Sequence, residues 1–130
     1  MTKKLLLGFL FSFCLTAFSQ NKNCERFKNG TFKITDAKTK AVCIITRDGD
    51  KQTEKMENSE ESFDFDIVWL DDCTYTITPT PLTVQKKKDL LKMGTMTVRV
   101  TVSTDSTYVQ IVRVANKPKF RRIDEVFLVK

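Results

Sequence analysis

The stretch from Phe63 to Thr78 constrains the fold of this chain more than any other part of the sequence. Apolar and polar residues alternate along it in two runs, which is typical of β-strands that bury one face. An acidic pair, Asp71-Asp72, separates the runs and predicts a tight turn between antiparallel strands. The apolar side consists of Phe63, Phe65, Ile67 and Trp69 in the first run and Cys73, Tyr75 and Ile77 in the second. Because this hairpin holds the only tryptophan of the chain, we expect it to supply much of the core.

Six further segments have strand patterns. They are Phe27–Thr35, Ala41–Arg47, Lys51–Glu57, Thr95–Thr104, Thr107–Ala115 and Phe120–Val129. The Asp48-Gly49 pair predicts a type I′ turn, which places Arg47 opposite Asp50. The segment that follows this turn, Lys51–Glu57, is almost entirely polar and is predicted to be an edge strand, where charge discourages pairing between chains.

The eight strands are expected to form one all-β domain. Short loops make consecutive strands antiparallel neighbours, so the topology is an antiparallel meander. Curling it into a small barrel or a strongly twisted sheet would remove exposed edges, and a two-sheet sandwich is the alternative. The predicted core consists of Phe32, Phe65, Ile67, Trp69, Tyr75, Val98 and Val100, and Val102 is expected to face inward with them.

One segment, near residues 81–92, does not have a strand pattern. Thr80 can cap a helix, Pro81 suits the first helical position, and Gly94 suits the position just past the end. A short helix is therefore predicted after the fifth strand.

Residues 1–19 are typical of a signal peptide. Lys3-Lys4 precede an apolar run from Leu5 to Ala17, and small residues at Ala17 and Ser19 suit cleavage before Gln20. The run is shorter than the ~20 residues that a membrane span needs. Acylation at Cys14 is the alternative, although bulky Phe13 precedes it. Residues 20–130 are thus expected to form a single periplasmic or secreted β domain, with no stable membrane span after cleavage.

Three cysteines remain in residues 20–130, namely Cys24, Cys43 and Cys73. Exported proteins form disulfides, and three cysteines allow three possible pairings. The chain has no histidine and no closely spaced cysteines, so zinc spacings are missing and we expect no metal and no cofactor. We predict a Cys24–Cys73 bridge with Cys43 free, because Cys43 lies in the middle of an apolar strand while the other two border a strand and a turn.

Charge and chemistry exclude several functions. The net charge is +6, and the excess of positive charge lies in residues 79–130, with 11 basic and 4 acidic residues, whereas residues 20–78 carry 9 basic and 12 acidic residues. Export and the acidic first half nevertheless argue against a nucleic-acid partner. The absence of histidine removes the commonest acid–base group. Asp64 and Asp66 are expected to face solvent, Asp71-Asp72 to lie in a turn, and Cys43 to be an inert buried thiol, so the protein is not expected to be an enzyme.

Two non-catalytic hypotheses remain. The favoured one is a cell-envelope interaction or binding module, whose surface or edge strand contacts an envelope protein. The alternative is a lipocalin-like carrier that holds a small apolar ligand inside the barrel. In a barrel of eight strands, side chains can fill most of the interior. We therefore expect a packed interior, which favours the interaction module.

Two groups of residues resemble a known family. The first comprises Cys24-x-x-Phe27-x-x-Gly30-x-Phe32 and Ile45-x-Arg47 with Gln52 and Glu54, and the second is Trp69-Leu70-Asp71-Asp72-Cys73-Thr74-Tyr75. In these residues the chain resembles a family of small exported bacterial proteins without an established function. Some members are labelled as a topoisomerase subunit, but removing 19 of the 130 residues leaves 111, which cannot hold a cleavage and an ATPase domain. Gly30-x-Phe32 near the start of a meander is also similar to lipocalin-like barrels, a resemblance of architecture that carries no function.

Overall fold

The eight strands of this protein form a closed barrel. The computed structural model describes residues 24–129, so the predicted signal peptide lies outside the described residues. The strands are β1 (Asn29–Thr35), β2 (Val42–Asp48), β3 (Lys51–Met56), β4 (Ser62–Asp71), β5 (Thr74–Pro79), β6 (Met96–Ser103), β7 (Thr107–Val114) and β8 (Lys117–Val129). Each pairs antiparallel with its neighbours in sequence, and β8 pairs with β1. The predicted all-β meander barrel is confirmed, and the sandwich is excluded.

One end of the barrel is closed by the first described residues. A 3-10 turn (Glu25–Phe27) precedes β1 and buries Phe27 against Phe32 and Tyr108. The disulfide between Cys24 and Cys73 ties this turn to the β4–β5 connection, which confirms the predicted pairing. This closed end is densely packed, and its buried cluster consists of Cys24, Phe27, Phe32, Ile45, Val100, Tyr108 and Val126.

Two short helices lie between β5 and β6 at the opposite end, α1 (Pro81–Lys86) and α2 (Asp89–Met93). Thr80 caps α1 by accepting from the N–H of Thr83, as predicted. The buried hydroxyl of Thr83 then donates to the carbonyl of Asp64 at 2.8 Å, which fixes α1 to β4. The single predicted helix is interrupted at Lys87-Lys88, where Lys87 has a non-helical φ of −135° and neither lysine offers an apolar side chain to bury.

Six of the seven predicted core residues are buried, and Trp69 is half-buried instead. Val102 is 60% exposed, so its predicted inward orientation is wrong. The cause is a β-bulge, because the register between β6 and β7 shifts between Val100 and Val102. An extra residue in one strand turns every later side chain to the other face.

The β2–β3 hairpin differs from its prediction in register. Asp48 pairs with Lys51 and Arg47 with Gln52, so Gly49-Asp50 forms the turn. Gly49 has a φ of 64°, and a glycine at the first central position is what a type II′ turn requires. The prediction that Lys51–Glu57 is an edge strand is also wrong, because β3 pairs with β2 on one side and β4 on the other. Two of its polar residues, Gln52 and Glu54, face the barrel interior instead.

The shortest ladder of the barrel lies at the seam between β1 and β8. Their ladder holds only the pairs Thr31–Val129, Phe32–Leu128 and Lys33–Phe127. β1 ends at Thr35 because the carboxylate of Asp36 accepts hydrogen bonds from the backbone of residues 38 and 39, which turns the chain away. β8 extends much further: Lys117 and residues 121–126 pair with β7, and no residue of 117–126 pairs with another described strand.

Candidate functional site

The barrel interior is hollow towards the helical end. A cavity of about 970 Å³ extends from the middle of the barrel to the seam between β8 and the end of β1. Small inward side chains leave this space, among them Cys43, Val98 and Val112. The expected packed interior is therefore found at the closed end alone. Phe65 of β4, Ile77 of β5 and Leu90 of α2 belong to the apolar part of the wall.

Arg47 lies inside the barrel and is 2% exposed. Its Nε donates to Oε1 of Gln52 at 2.9 Å, and its Nη1 donates to the carbonyl of Phe27 at 2.9 Å. Its Nη2 donates to the hydroxyls of Tyr75 at 2.7 Å and Tyr108 at 2.8 Å. The guanidinium also lies 4.7 Å from the ring centroid of Phe32, within the range of a cation–π contact. A buried guanidinium is thus held by neutral acceptors and aromatic faces.

The position of Arg47 separates two parts of the core. Phe27, Phe32 and Tyr108 belong to the packed cluster at the closed end, whereas Tyr75 belongs to the cluster beside the cavity. Since Arg47 contacts members of both clusters, it forms the floor of the cavity. The floor is rigid, because four hydrogen bonds fix the guanidinium plane.

A polar network continues from Arg47 along the cavity wall. On one side, Nε2 of Gln52 donates to Oε2 of Glu54 at 2.7 Å. On the other side, Nε2 of Gln110 donates to Oδ2 of Asp124 at 3.0 Å, and Nε of Arg122 donates to the same oxygen at 3.0 Å. The charged side chains of this network are therefore two guanidiniums and two carboxylates, which balance each other.

Glu54 is half-buried and faces the cavity. Burial raises the pKa of its carboxyl group, and the hydrogen bond from Gln52 and the nearby charges of Arg122 and Arg47 oppose that rise. Among the described residues, Oε1 of Glu54 has no hydrogen-bond partner, because the bond from Gln52 goes to Oε2. This oxygen is available to accept a hydrogen bond inside the cavity.

Cys43 also lines the cavity and is a free, half-buried thiol, as predicted. Burial raises the pKa of Cys43 to about 11, and the charge of Glu54 adds to this effect. A thiol with such a pKa is protonated at neutral pH, and the thiolate is the nucleophilic form. The arrangement therefore does not favour nucleophilic chemistry. Residues 24–129 also hold no group of three or more His, Cys, Asp or Glu side chains suited to a metal ion.

The inward polar residues were not recognised from the sequence. Strand parity is the signal that could have revealed them, since Arg47 alternates with Ile45 and Cys43 and must share their face. Gln52 pairs with Phe65, a predicted core residue, so both occupy the interior. Asp64 and Asp66 do face solvent, as expected.

The chain has no match among known proteins in three comparisons, with family models, with curated proteins and with solved structures. No helix within residues 24–129 has the length and apolar character to cross a membrane. The fold and the cavity define the class of protein: a disulfide-bonded, eight-stranded meander barrel with a partly polar internal cavity. The family resemblance of residues 24–78 stays a prediction.

Proposed function

We propose that this protein is a non-enzymatic carrier that binds one small, mainly apolar ligand inside its barrel. The observation that carries this proposal is the cavity of about 970 Å³. Ligand pockets have volumes of about 300–1,000 Å³, apolar walls and a few well-placed polar groups. The cavity has that volume, and its wall is mainly apolar with polar groups from β2, β3, β7 and β8. The sequence favoured an interaction module because a filled interior was expected, and the cavity removes that reason.

The polar groups of the cavity suggest the chemistry of the ligand. Arg47 already donates four hydrogen bonds, so it serves as a floor and does not attract an anion strongly. Elsewhere on the cavity wall, Oε1 of Glu54 offers a hydrogen-bond acceptor. The guanidinium of Arg122 offers its Nη1 and Nη2 donors, because only its Nε donates to Asp124. Since the charges balance, a neutral polar group that both donates and accepts fits this wall better than an ion does. An apolar ligand with a hydroxyl or amide group is the class we propose.

Two features support a location outside the cytoplasm. The disulfide between Cys24 and Cys73 fits an oxidising compartment. Together with the signal-like residues 1–19, it supports our proposal that the mature protein is periplasmic or secreted. The ligand would enter where the cavity reaches the seam between β8 and the end of β1.

The test uses delipidated, oxidised protein and a panel of a long-chain alcohol, amide, fatty acid and alkyl amine of matched chain length. Binding to the native state alone raises Tm as the ligand concentration exceeds its Kd. We expect the alcohol and the amide to raise Tm by several degrees and the fatty acid and amine to do so less. If none of the four compounds raises Tm, the proposal is overturned.

Two variants make the test specific for the cavity. Val98→Phe places a larger side chain on the cavity wall and should abolish the ligand-induced shift while the protein stays folded. Val68→Phe is the matched control, because Val68 is 59% exposed on the outside of β4. A ligand-induced shift that persists in Val98→Phe would show that the ligand binds elsewhere.

The envelope interaction module remains a second proposal, and an observation on the outer surface supports it. Ile123 and Phe127 of β8 are 57% and 44% exposed. Ile123 lies in the part of β8 that does not pair with β1, and Phe127 is the residue at which that pairing begins. Such a surface suits a protein partner. Crosslinking in the native envelope tests this proposal, and recovery of the monomer alone would contradict it.

A further inference from the structure

β8 has one edge that is largely uncovered. Residues 121–126 pair with β7 on one side, while the ladder with β1 begins only at Phe127. A strand edge presents a row of backbone N–H and C=O groups that can pair with another strand. Natural proteins usually protect such edges with charged residues, and β8 does carry several. Their order, however, is not that of simple protection.

The charges along β8 are complementary to themselves. Two basic residues, Arg121 and Arg122, precede Ile123, and two acidic residues, Asp124 and Glu125, follow it. When the strand is paired antiparallel with its own copy, with Ile123 at the centre, each basic residue lies opposite an acidic one. Charges that would repel an unrelated strand therefore favour a second copy of this one.

We propose that two copies of this chain associate through β8, as an antiparallel strand pair with its two-fold axis at Ile123. On the outer face, Arg121 then lies opposite Glu125 of the partner copy, and Ile123 lies opposite Ile123 of the partner copy. On the inner face, Arg122 lies opposite Asp124 of the partner copy. The arrangement is isologous, so each unlike pair occurs twice.

The outer pair is free to form these contacts. The side chains of Arg121 and Glu125 make no hydrogen bond or ion pair with any other described residue, and both residues are exposed, while their backbones pair with β7. Between them, Ile123 exposes 57% of its surface. An apolar residue flanked by unpaired opposite charges matches the cross-strand pairs that stabilise antiparallel sheets.

Neighbouring registers do not give this match. An axis at Arg122 places that guanidinium opposite itself, and an axis at Asp124 places two carboxylates opposite each other. An axis between two residues sets each inward-facing residue of one copy opposite an outward-facing residue of the other copy. A sheet with one buried face does not tolerate that exchange of faces. Of these registers, the axis at Ile123 is the one that sets both arginines opposite acidic residues and no like charges opposite each other.

The pairing also bears on access to the cavity. Ile123, Glu125 and Phe127 line the outer margin of the cavity, beside the seam. A second copy along this edge covers that margin. The strand edge and its charge order favour this dimer whether or not the cavity holds a ligand.

Charge reversal and its rescue test the proposal. In sedimentation experiments we expect the oxidised wild-type protein to form a dimer as concentration rises, and the dimer to weaken with salt. Arg121→Glu alone and Glu125→Arg alone each place two like-charged pairs across the axis, so each variant should be a monomer. An equimolar mixture of the two variants restores both unlike pairs and should form a heterodimer. Arg99→Glu, an exposed change on the outer face of β6, is the control that should dimerise as the wild type does.

A crosslink tests the register. Ile123→Cys in a Cys43→Ser background places two thiols across the axis, and directly opposed residues have Cα atoms about 4.5–5.5 Å apart, within the range of a disulfide. We expect an intermolecular disulfide on mild oxidation, and none for Val68→Cys in the same background. A wild-type protein that stays monomeric up to about 1 mM, where a Kd corresponds to about 4 kcal/mol of binding free energy, would overturn the proposal. A dimer that single charge reversals leave intact, or that their mixture fails to restore, would overturn it equally.

Discussion

Arg47 donates a hydrogen bond to the hydroxyl of Tyr75 at 2.7 Å inside the barrel, although the two residues are 28 positions apart in the sequence. This bond joins the packed end of the barrel to the cavity, because Tyr75 belongs to the cavity-side cluster and Arg47 also contacts Phe32 and Tyr108 of the other one. Removing a charge from water is costly unless hydrogen bonds replace the lost hydration. Here four protein oxygens provide that replacement.

Replacing Arg47 should therefore destabilise the fold. Arg47→Met keeps an apolar side chain of similar length but leaves the buried oxygens of Gln52, Tyr75 and Tyr108 without this donor. Each buried group that loses its partner costs about 1–3 kcal/mol, so we expect the free energy of unfolding to fall by at least about 3 kcal/mol. Urea unfolding followed by circular dichroism measures it. Arg113→Met, on the exposed face of β7, should stay within about 0.5 kcal/mol of wild type. A variant at Arg47 as stable as the wild type would contradict the structural role.

The disulfide is expected to contribute a comparable amount. Cys24 and Cys73 are 49 residues apart, and the chain-entropy estimate for a loop of that length is about 4 kcal/mol. Cys24→Ser with Cys73→Ser should thus lower the free energy of unfolding by roughly that amount, again measured by urea unfolding. Cys43→Ser is the matched control, because that thiol is free and borders a cavity. Equal losses in the two variants would show that the effect comes from removing cysteine and not from the bridge.

The strand order of this barrel can be predicted from the sequence, since alternation is a local signal and short loops leave few topologies. The burial of Phe65, Ile67 and Tyr75 follows from the same alternation. Val102 shows where that reasoning fails. Its alternation with Val100 is intact in the sequence, and the intervening bulge has no residue type that announces it.

The candidate site was less predictable than the fold. Gln52 and Glu54 lie on a strand whose composition is typical of an exposed edge, so composition placed them outside the barrel. Closure of the barrel gives β3 two neighbours and gives those side chains an interior to occupy. Closure depends on the pairing of β1 with β8, whose residues are about a hundred positions apart, and no local pattern encodes it.

The carboxyl group of Glu54 should make stability depend on pH. Burial raises its pKa in the folded state above the ordinary value, so between those two pKa values the folded protein binds more protons than the unfolded one. This contribution is therefore greatest below the ordinary pKa of 4.5 and is lost as pH rises through the folded-state pKa. Glu54→Gln removes the penalty, so we expect the variant to gain stability over wild type at pH 7 and to differ little from it at pH 4.

Urea unfolding at several pH values between 4 and 7 measures this difference, and Glu60→Gln is the control because Glu60 is exposed in the β3–β4 loop. Its difference from wild type should not change with pH across the same interval. If the gain of Glu54→Gln were larger at pH 4 than at pH 7, the sign of the pKa change inside the barrel would be reversed.

The indole N–H of Trp69 is buried without a hydrogen-bond partner among the described residues, so replacing Trp69 should have two opposing effects on stability. Its ring lies 4.7 Å from that of Tyr75 between centroids, and its buried Nε1 has no hydrogen-bond partner among the described residues. Trp69→Phe keeps an aromatic ring and removes the unpaired N–H, so the lost contact area and the removed penalty should nearly cancel. We expect a change within about 1 kcal/mol for Trp69→Phe and a loss of about 3 kcal/mol for Trp69→Ala, which also deletes the ring. Circular dichroism in urea is the appropriate measurement, because tryptophan fluorescence disappears with the residue. Leu70→Ala, on the exposed face of the same strand, should change the free energy of unfolding little. Equal losses of stability in the two Trp69 variants would show that Nε1 does have a partner in solution.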